Sequence, residues 1–277
     1  MTIGIDQRAA RGAPTSIDGV GIRFGSYQAV SGISLDIAAG EFLCLLGPSG
    51  CGKSTLLSAL AGFTPVTSGT ITVDQDVIDG PSPERGMVFQ SSDALFDWLT
   101  VRQNVAFGPR MRGLSRKEQA ALADEYIGLV GLRKFADRFP GQLSGGMRQR
   151  VQIARVLANR PRIVLMDEPF GALDAQTRQV MQMEMDRIWR ESGCTVVFVT
   201  HDIDEAIILA DRIAVMTAGP AASIKNIYRV DLPRPREETS PEAIALHQML
   251  RRDIGAEVRA ALRDQGLDQV FEAGEEY

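Results

Sequence analysis

Cysteine is scarce in this chain, with three residues, Cys44, Cys51 and Cys194, among 277. The odd number and the lack of a C-x-x-C pair exclude a disulfide framework and a structural zinc site, and fit a reducing compartment. Positive charge is in deficit: 30 Lys and Arg face 35 Asp and Glu, for a net charge of -5. No overall basic field therefore points to nucleic acid. The densest basic run, Arg148, Arg150, Arg155, Arg160 and Arg162, falls in a periodic, partly apolar segment and reads as a helix surface. Long apolar runs are missing too; no stretch approaches the roughly 18 residues of a membrane helix. The opening MTIGIDQRAARGAPTS carries Asp6 and lacks the apolar core of a secretory signal, so any link to membranes is expected to run through a partner. What is present, 44% hydrophobic and 23% charged residues, suits one large globular core rather than a disordered chain.

Residues 1–15 read as a flexible lead-in. Apolar or alternating runs predict strands over 17–24, 30–37, 41–46, 70–77, 86–90, 163–166, 195–200 and 213–216. Helical periodicity predicts helices over 54–61, 101–131, 149–159, 176–191 and 204–210, the third stopped by Pro161. Past the proline-rich LPRPRE, which marks a boundary, a tail over 236–277 is expected to be partly helical, at 240–261. Apolar strands separated by helices imply an α/β fold with a mostly parallel sheet covered on both faces. Between about 91 and 154 helical pattern runs without a strand, which predicts an inserted helical subdomain.

The segment Gly47, Pro48, Ser49, Gly50, Cys51, Gly52, Lys53, Ser54, Thr55 fills every fixed position of G-x-x-x-x-G-K-[ST], after an apolar run and before a helical one. Glycine at 47, 50 and 52 lets successive backbone N–H groups turn inward around an anion, and the following helix points its positive end there. Lys53 is expected to reach the outer phosphates of a nucleoside triphosphate, Ser54 to ligate magnesium, and Thr55 to support the helix start. Cys51 is expected to be a spacer whose thiolate the amides and Lys53 favour. The strand at 163–166 leads into Asp167 and Glu168. Asp167 is the candidate for the metal, directly or through water; Glu168, facing differently, is the candidate for polarising the attacking water. Phosphoryl transfer rests on positioning and charge stabilisation, so one such carboxylate suffices. Gln90 and His201 sit at strand ends, where open parallel sheets bind ligands. Gln90 can offer its amide oxygen to metal or water, and His201 can contact the terminal phosphate or the water.

Leu143, Ser144, Gly145 and Gly146 open a helix and form a second set of N–H groups suited to an anion. One nucleotide does not need two such nests. If the second serves the nucleotide of another copy, the protein acts as a dimer, with 171–174, Asp174 included, well placed to cross the junction.

Taken in order, these segments resemble the ATPase subunit of ATP-binding cassette (ABC) transporters, over residues 16–235. The resemblance implies a P-loop NTPase core with a mostly parallel sheet, an N-terminal antiparallel β subdomain and the inserted helical subdomain. It implies ATP and Mg2+ as ligands, and a homodimer in which Ser144, Gly145 and Gly146 of one copy cap the γ-phosphate held by the other. It also implies an aromatic stacked on adenine, for which Phe24 fits best and Tyr27 second. Permease contact is implied in 90–101, with Phe96, Trp98 and Leu99 as exposed apolar anchors. GPSPERGMVFQ, LTVRQNVAFG, DEPFGALDAQTR, TVVFVTHDIDEA and VDLPRPR are similar to the nitrate, sulfonate, taurine and bicarbonate importers. That likeness implies import of a small anion, with another small solute as the alternative, together with permease subunits and a solute-binding protein, this chain lying on the cytoplasmic face of the inner membrane. Two departures stand out: Asp97 where related chains often have proline, and 218–223 in place of a turn that usually contains arginine. A soluble cassette ATPase of DNA repair or translation would favour a basic channel or a fused second cassette, neither of which the sequence offers. A nucleotide-gated module without turnover fits poorly with Glu168 and His201.

Overall fold

A computed structural model describes residues 12–90 and 94–264. They fall into two compact units, taken here in turn. The loop unit holds Thr15–Ile37, Glu41–Gly80 and the described chain from Phe198 onward; the helical unit holds Ala38–Gly40 and Pro81–Val197, with residues 12–14.

In the loop unit, β1 (Thr15–Phe24) and β2 (Tyr27–Ile37) pair antiparallel. Ile33, Leu35 and Ile37 of β2 are buried, alternating with exposed Gly32, Ser34 and Asp36, the two-residue period that puts one face of a strand on a core. β3 (Phe42–Leu46) leaves for a second sheet, and β4 (Ser68–Val73) and β5 (Asp76–Val77) complete the first in the order β2-β1-β4-β5. The single strand expected over 70–77 is therefore two. The chain reverses at Asp74 (φ 51°) and Gln75 (φ 75°), with Val73 opposite Asp76, a two-residue turn of the kind that matches strand twist. Neither turn residue is glycine, so the alternation reads straight through it.

β3 is buried at all five positions and runs into α1 (Lys53–Ala61) through the glycine-rich loop. It lies parallel to β9 (Arg212–Met216), from Leu43 opposite Arg212 to Leu46 opposite Val215, and β10 (Ile224–Arg229) adds antiparallel to β9. The order is β10-β9-β3, then the end of β8 (Thr195–Thr200). Phe42 and Phe198, both fully buried, pack with ring centroids 5.8 Å apart. Burying side chains of this size contributes about 2–3 kcal/mol each. β10 was not among the expected strands: IKNIYR is polar on both faces, as a half-exposed edge strand can be. α6 (Ile203–Leu209) and α7 (Pro241–Asp264) cover this core. The proline-rich boundary is fastened down, with Arg236 Nη1 donating to the carbonyls of Ile207 (2.8 Å) and Ala210 (2.6 Å), and Arg234 Nη2 to that of Leu209 (2.7 Å). Two cations thus satisfy the carbonyls at the negative end of α6.

In the helical unit, β6 (Arg85–Val88) and β7 (Ile163–Asp167) run parallel, in the order β8-β7-β6. Three helices lie between β6 and β7 in sequence: α2 (Val101–Met111), α3 (Arg116–Leu129) and α4 (Gly145–Ala158); α5 (Ala175–Ser192) follows β7. The helix expected over 101–131 is broken at 112–115, where Gly113 has φ 77°. Capping boxes at Thr100/Gln103 and Ser115/Glu118 start the two pieces, each side-chain cap contributing about 1 kcal/mol. Three arginines of the basic run lie half-buried on the surface of α4, with their guanidiniums on carbonyls. Arg148 donates to Leu143 O (2.9 Å), Arg150 to Val130 O (3.0 Å) and Arg155 to Ala94 O (2.8 Å), and burial lowers the pKa of Arg150 and Arg155. Their long stems cover apolar surface while the guanidinium satisfies carbonyls. Among the described residues, no helix is long and apolar enough to cross a membrane.

Candidate functional site

Within the loop unit, Gly50 (φ 79°) and Gly52 (φ 87°) take left-handed backbone. A Cβ on Gly52 would also stand 2.6 Å from Val30 Cγ1 and 3.2 Å from Ala29 O, so glycine is required twice over. Gly47 is confined by β9: a Cβ there would lie 3.2 Å from Met216 O. The loop leaves Ser49 and Gly50 exposed and Pro48 half-buried. Helix α1 begins without a side-chain cap and without an acid in its first turn. By contrast α2 to α6 each start under a side-chain cap, from Thr100, Ser115, Ser144, Asp174 and Asp202. A bare positive helix end next to left-handed glycines suits phosphate.

Lys53 is buried along this loop, its ammonium donating to Gly47 O and Pro48 O, both at 2.8 Å. Ser54 is exposed in the first turn of α1, and Thr55 is half-buried beside it. Cys51 departs from the expectation. Its side chain is fully buried, and burial pushes the thiol pKa up although Lys53 pulls the other way. The enclosure outweighs the nearby cation, so the thiolate is disfavoured. His201 is exposed on a turn that is locked beneath it. Thr200 Oγ1 donates to Glu205 Oε2 (2.7 Å) and accepts from the Asp202 N–H (3.0 Å), and the Asp202 carboxylate caps α6. Phe24 and Tyr27, 53% and 49% exposed, face each other across the β1–β2 turn, so both adenine-stacking candidates are accessible.

Within the helical unit, β7 ends at buried Asp167, and the next residue, Glu168, has φ 43°. A left-handed backbone at a non-glycine residue costs of the order of 1–3 kcal/mol, and such strain gathers at functional sites. Glu168 Oε2 accepts from Gln90 Nε2 at 3.1 Å, which brings two of the candidates together. Gln90 lies two residues beyond the end of β6, and Gln149 of α4 donates to Phe89 O (3.1 Å) just before it. With its nitrogen on Glu168, the Gln90 amide keeps its oxygen end for a cation.

The second glycine motif is organised around α4. Ser144 Oγ accepts from the Met147 N–H at 3.3 Å, capping the helix. A Cβ on Gly146 would stand 3.2 Å from Ala172 O and Leu173 Cδ2, whereas one on Gly145 would meet nothing within 4 Å. Packing inside the unit thus explains Gly146, and Gly145 keeps an open face. Asp174 is exposed and caps α5 by accepting from the Thr177 N–H (3.0 Å), which holds its carboxyl below the usual range. The residue expected to cross a junction therefore also has a local structural role. Magnesium prefers oxygen donors and shares its shell with phosphate and water. The hydroxyl of Ser54, the amide of Gln90 and the carboxylate of Asp167 are of that chemistry.

The family described as ABC transporter matches residues 30–171, just over half of the chain. The chain belongs to the ABC transporter family. It is 50% identical over 234 residues to an ATP-binding protein of Brucella abortus (strain 2308), covering 83% of this chain and 89% of that one. The bicarbonate transport ATP-binding protein CmpC of Synechococcus elongatus is 48% identical over 230 residues, 82% of this chain and 34% of its own length. The nitrate import ATP-binding protein NrtC of the same organism is 50% identical over 215 residues, 77% of this chain and 32% of its own length. Among solved structures, the dimeric post-hydrolysis state of an ATP-binding cassette bound to ADP and Pi superposes with a TM-score of 0.70 at 32% identity, covering 78% of this chain and 98% of that one. This ABC transporter chain thus has the cassette fold and is an ATPase.

In the ABC transporter chain, the stretch expected to meet a permease is only partly exposed; residues 91–93 lie outside those described. Trp98 is 73% exposed, but Phe96 and Leu99 are half-buried. The Phe96 ring packs against Trp98 and Phe107, centroids 5.3 and 4.7 Å away, with the Arg155 guanidinium 4.9 Å above it. Phe96 therefore supports the surface and is not an exposed anchor, because three aromatic and cationic neighbours enclose it. Asn104 went unnoticed in the sequence. Fully buried, it donates to Phe96 O, Leu99 O and Thr100 O and accepts from the Phe96 N–H, so it shapes the whole 96–100 turn. An asparagine just inside an amphipathic helix was its only signal.

Proposed function

We propose that this chain is the cytoplasmic motor subunit of an importer for a small anion, attached peripherally to the inner membrane through permease subunits and working with a separate solute-binding protein. The observation that carries the hydrolytic reading is Glu168, held by Gln90 on a left-handed backbone at the end of β7, in a chain with a complete phosphate loop. Residues 16–235 would form the cassette, with a helical subdomain at about 91–154 and a tail at 236–277.

The amides of 47–55 and the Lys53 ammonium bind the phosphates, and Phe24, with Tyr27 as second choice, stacks on adenine. Ser54, Gln90 and Asp167 hold Mg2+, which when bound neutralises charge on the outer phosphates. Glu168 takes the proton of the water that attacks the terminal phosphorus, and His201 steadies that water or the phosphate. The bond to the bridging oxygen breaks, leaving ADP and phosphate. A second copy closes over the nucleotide with its Ser144, Gly145 and Gly146, and Asp174 crosses the junction. A dimeric relative bound to ADP and Pi supports that arrangement, and relatives named for bicarbonate and nitrate support the anion class.

Lys53→Ala is expected to weaken Mg-ATP binding at least about thirtyfold, as truncating a desolvated charged partner does. Calorimetry giving an unchanged affinity would reject the loop as the phosphate site. At the permease, Trp98→Ala is expected to reduce co-purification of the membrane subunits about tenfold or more, because a large exposed aromatic is an efficient anchor. Recovery at normal stoichiometry would count against that contact. Uptake of nitrate, bicarbonate and an alkanesulfonate by the reconstituted transporter would identify the solute.

A further inference from the structure

Helix α7 has no part in the roles above, yet it is fastened to a turn that leans on the phosphate loop. The turn is 217–223, between β9 and β10. It closes on itself through Thr217 N–H to Ser223 O and Ser223 N–H to Thr217 Oγ1, both 2.9 Å. On one side it is stitched to β2: the Ala221 N–H donates to Gln28 O (2.7 Å), and the Ser31 N–H to Ala222 O (2.9 Å). On another it abuts the loop. A Cβ on Gly219 would stand 3.1 Å from Gly50 O, 3.6 Å from the Tyr27 hydroxyl and 3.8 Å from Cys51 Cα. Gly219 thus lets the turn rest against the backbone that must wrap the phosphates.

The third attachment comes from α7. Glu257 Oε2 accepts from the Ala218 N–H at 2.8 Å, the residue next to Gly219, while Glu257 Oε1 pairs with Lys225 Nζ at 2.8 Å. One helical turn earlier Asp253 accepts from Asn226 Nδ2 and the Tyr228 hydroxyl, both 2.6 Å. The α7 carboxylates thus grip β10 and the turn that precedes it. Without Glu257 the part-buried Ala218 N–H loses its acceptor, and the turn loses the contact that opposes its stitching to β2.

We infer that Glu257 is a positioning residue for nucleotide binding: through Ala218 and the 217–223 turn it holds the phosphate loop in the geometry that receives ATP. The inference rests on the assignment of 47–55 as the phosphate site. Its effect is expected on binding rather than on the chemical step, since the turn rests against the loop backbone at Gly50 and Cys51.

The test uses the full chain, Mg-ATP calorimetry and steady-state hydrolysis. Glu257→Ala is expected to raise Kd and KM for Mg-ATP about tenfold, with kcat within about threefold. Glu257→Gln keeps an oxygen that can accept from Ala218 and is expected to stay within about threefold of the unaltered chain on both. Lys225→Met removes the ion pair but spares the Ala218 contact and is expected to behave like Glu257→Gln. A general stabilising role would lower the melting temperature in Glu257→Ala and Lys225→Met alike without separating their KM values. Equal KM in all variants, or an equal rise in Lys225→Met, overturns the inference. Should Glu257→Ala fail to fold, Glu257→Met, which also lacks an acceptor but fills the volume, is read in its place. Lys53→Ala run alongside separates the two failures: if it binds Mg-ATP normally, the phosphate-loop assignment is at fault and not the role of Glu257.

Discussion

Glu168→Gln is expected to cut ATP turnover by about two to four orders of magnitude while Mg-ATP affinity stays within a few-fold. The amide matches the carboxylate in shape, retains an oxygen to accept from Gln90 Nε2, and can occupy the same left-handed backbone. What it lacks is the capacity to take a proton from water. Binding and closure should survive while the chemical step stops, so gel filtration with ATP should show a nucleotide-bound dimer accumulating. Hydrolysis at the unaltered rate would remove Glu168 from the role of general base. The substitution is informative because β7 and the Gln90 contact fix the side chain in advance, and a change of atom type at a fixed position tests chemistry rather than folding.

Ser144→Arg is expected to reduce hydrolysis to background, a loss of about a hundredfold or more, while Mg-ATP binding by the separated subunit is spared. Ser144 is exposed at the start of α4, beside Gly145, where an added Cβ would meet nothing within 4 Å among the described residues. An arginine there would fill the open face that a second copy must approach. Losing the Ser144 cap should lower stability by about 1 kcal/mol, too little to unfold a core of this size. Combined with Glu168→Gln, it should abolish the ATP-induced dimer. Normal turnover together with normal dimerisation would show that α4 does not complete a neighbouring nucleotide site.

The residues with the most specific chemistry were legible because their spacing is their signal. Gly50, Gly52 and Lys53 follow an apolar run and precede a helical one, the context in which that spacing suits a phosphate. Asp167 and Glu168 were legible for the same reason, standing at the end of a strand whose every residue is apolar before them. The misreadings share a different origin. The nearness of Cys51 to Lys53 in sequence favours its thiolate, but the burial of the side chain in the folded loop outweighs that cation. Phe96 was expected to be exposed, but Phe107 and Arg155, 11 and 59 positions away, enclose it. The helical period places the arginines of α4 on a helix surface but does not show that Arg150 and Arg155 reach the carbonyls of Val130 and Ala94.

By itself the sequence determined most of the strands and helices, the glycine-rich loop and the acidic strand end, because these depend on local backbone freedom, periodicity and the charge of adjacent residues; it did not show β10, the turn that splits β4 from β5 or the break between α2 and α3. The tertiary structure decided which side chains are enclosed and which distant groups satisfy them: Gln90 on Glu168, Arg155 on the Ala94 carbonyl, and α7 reaching the turn behind the loop. Such pairings join residues far apart in the chain through hydrogen bonds and burial, and periodicity within one segment carries no record of what packs against it.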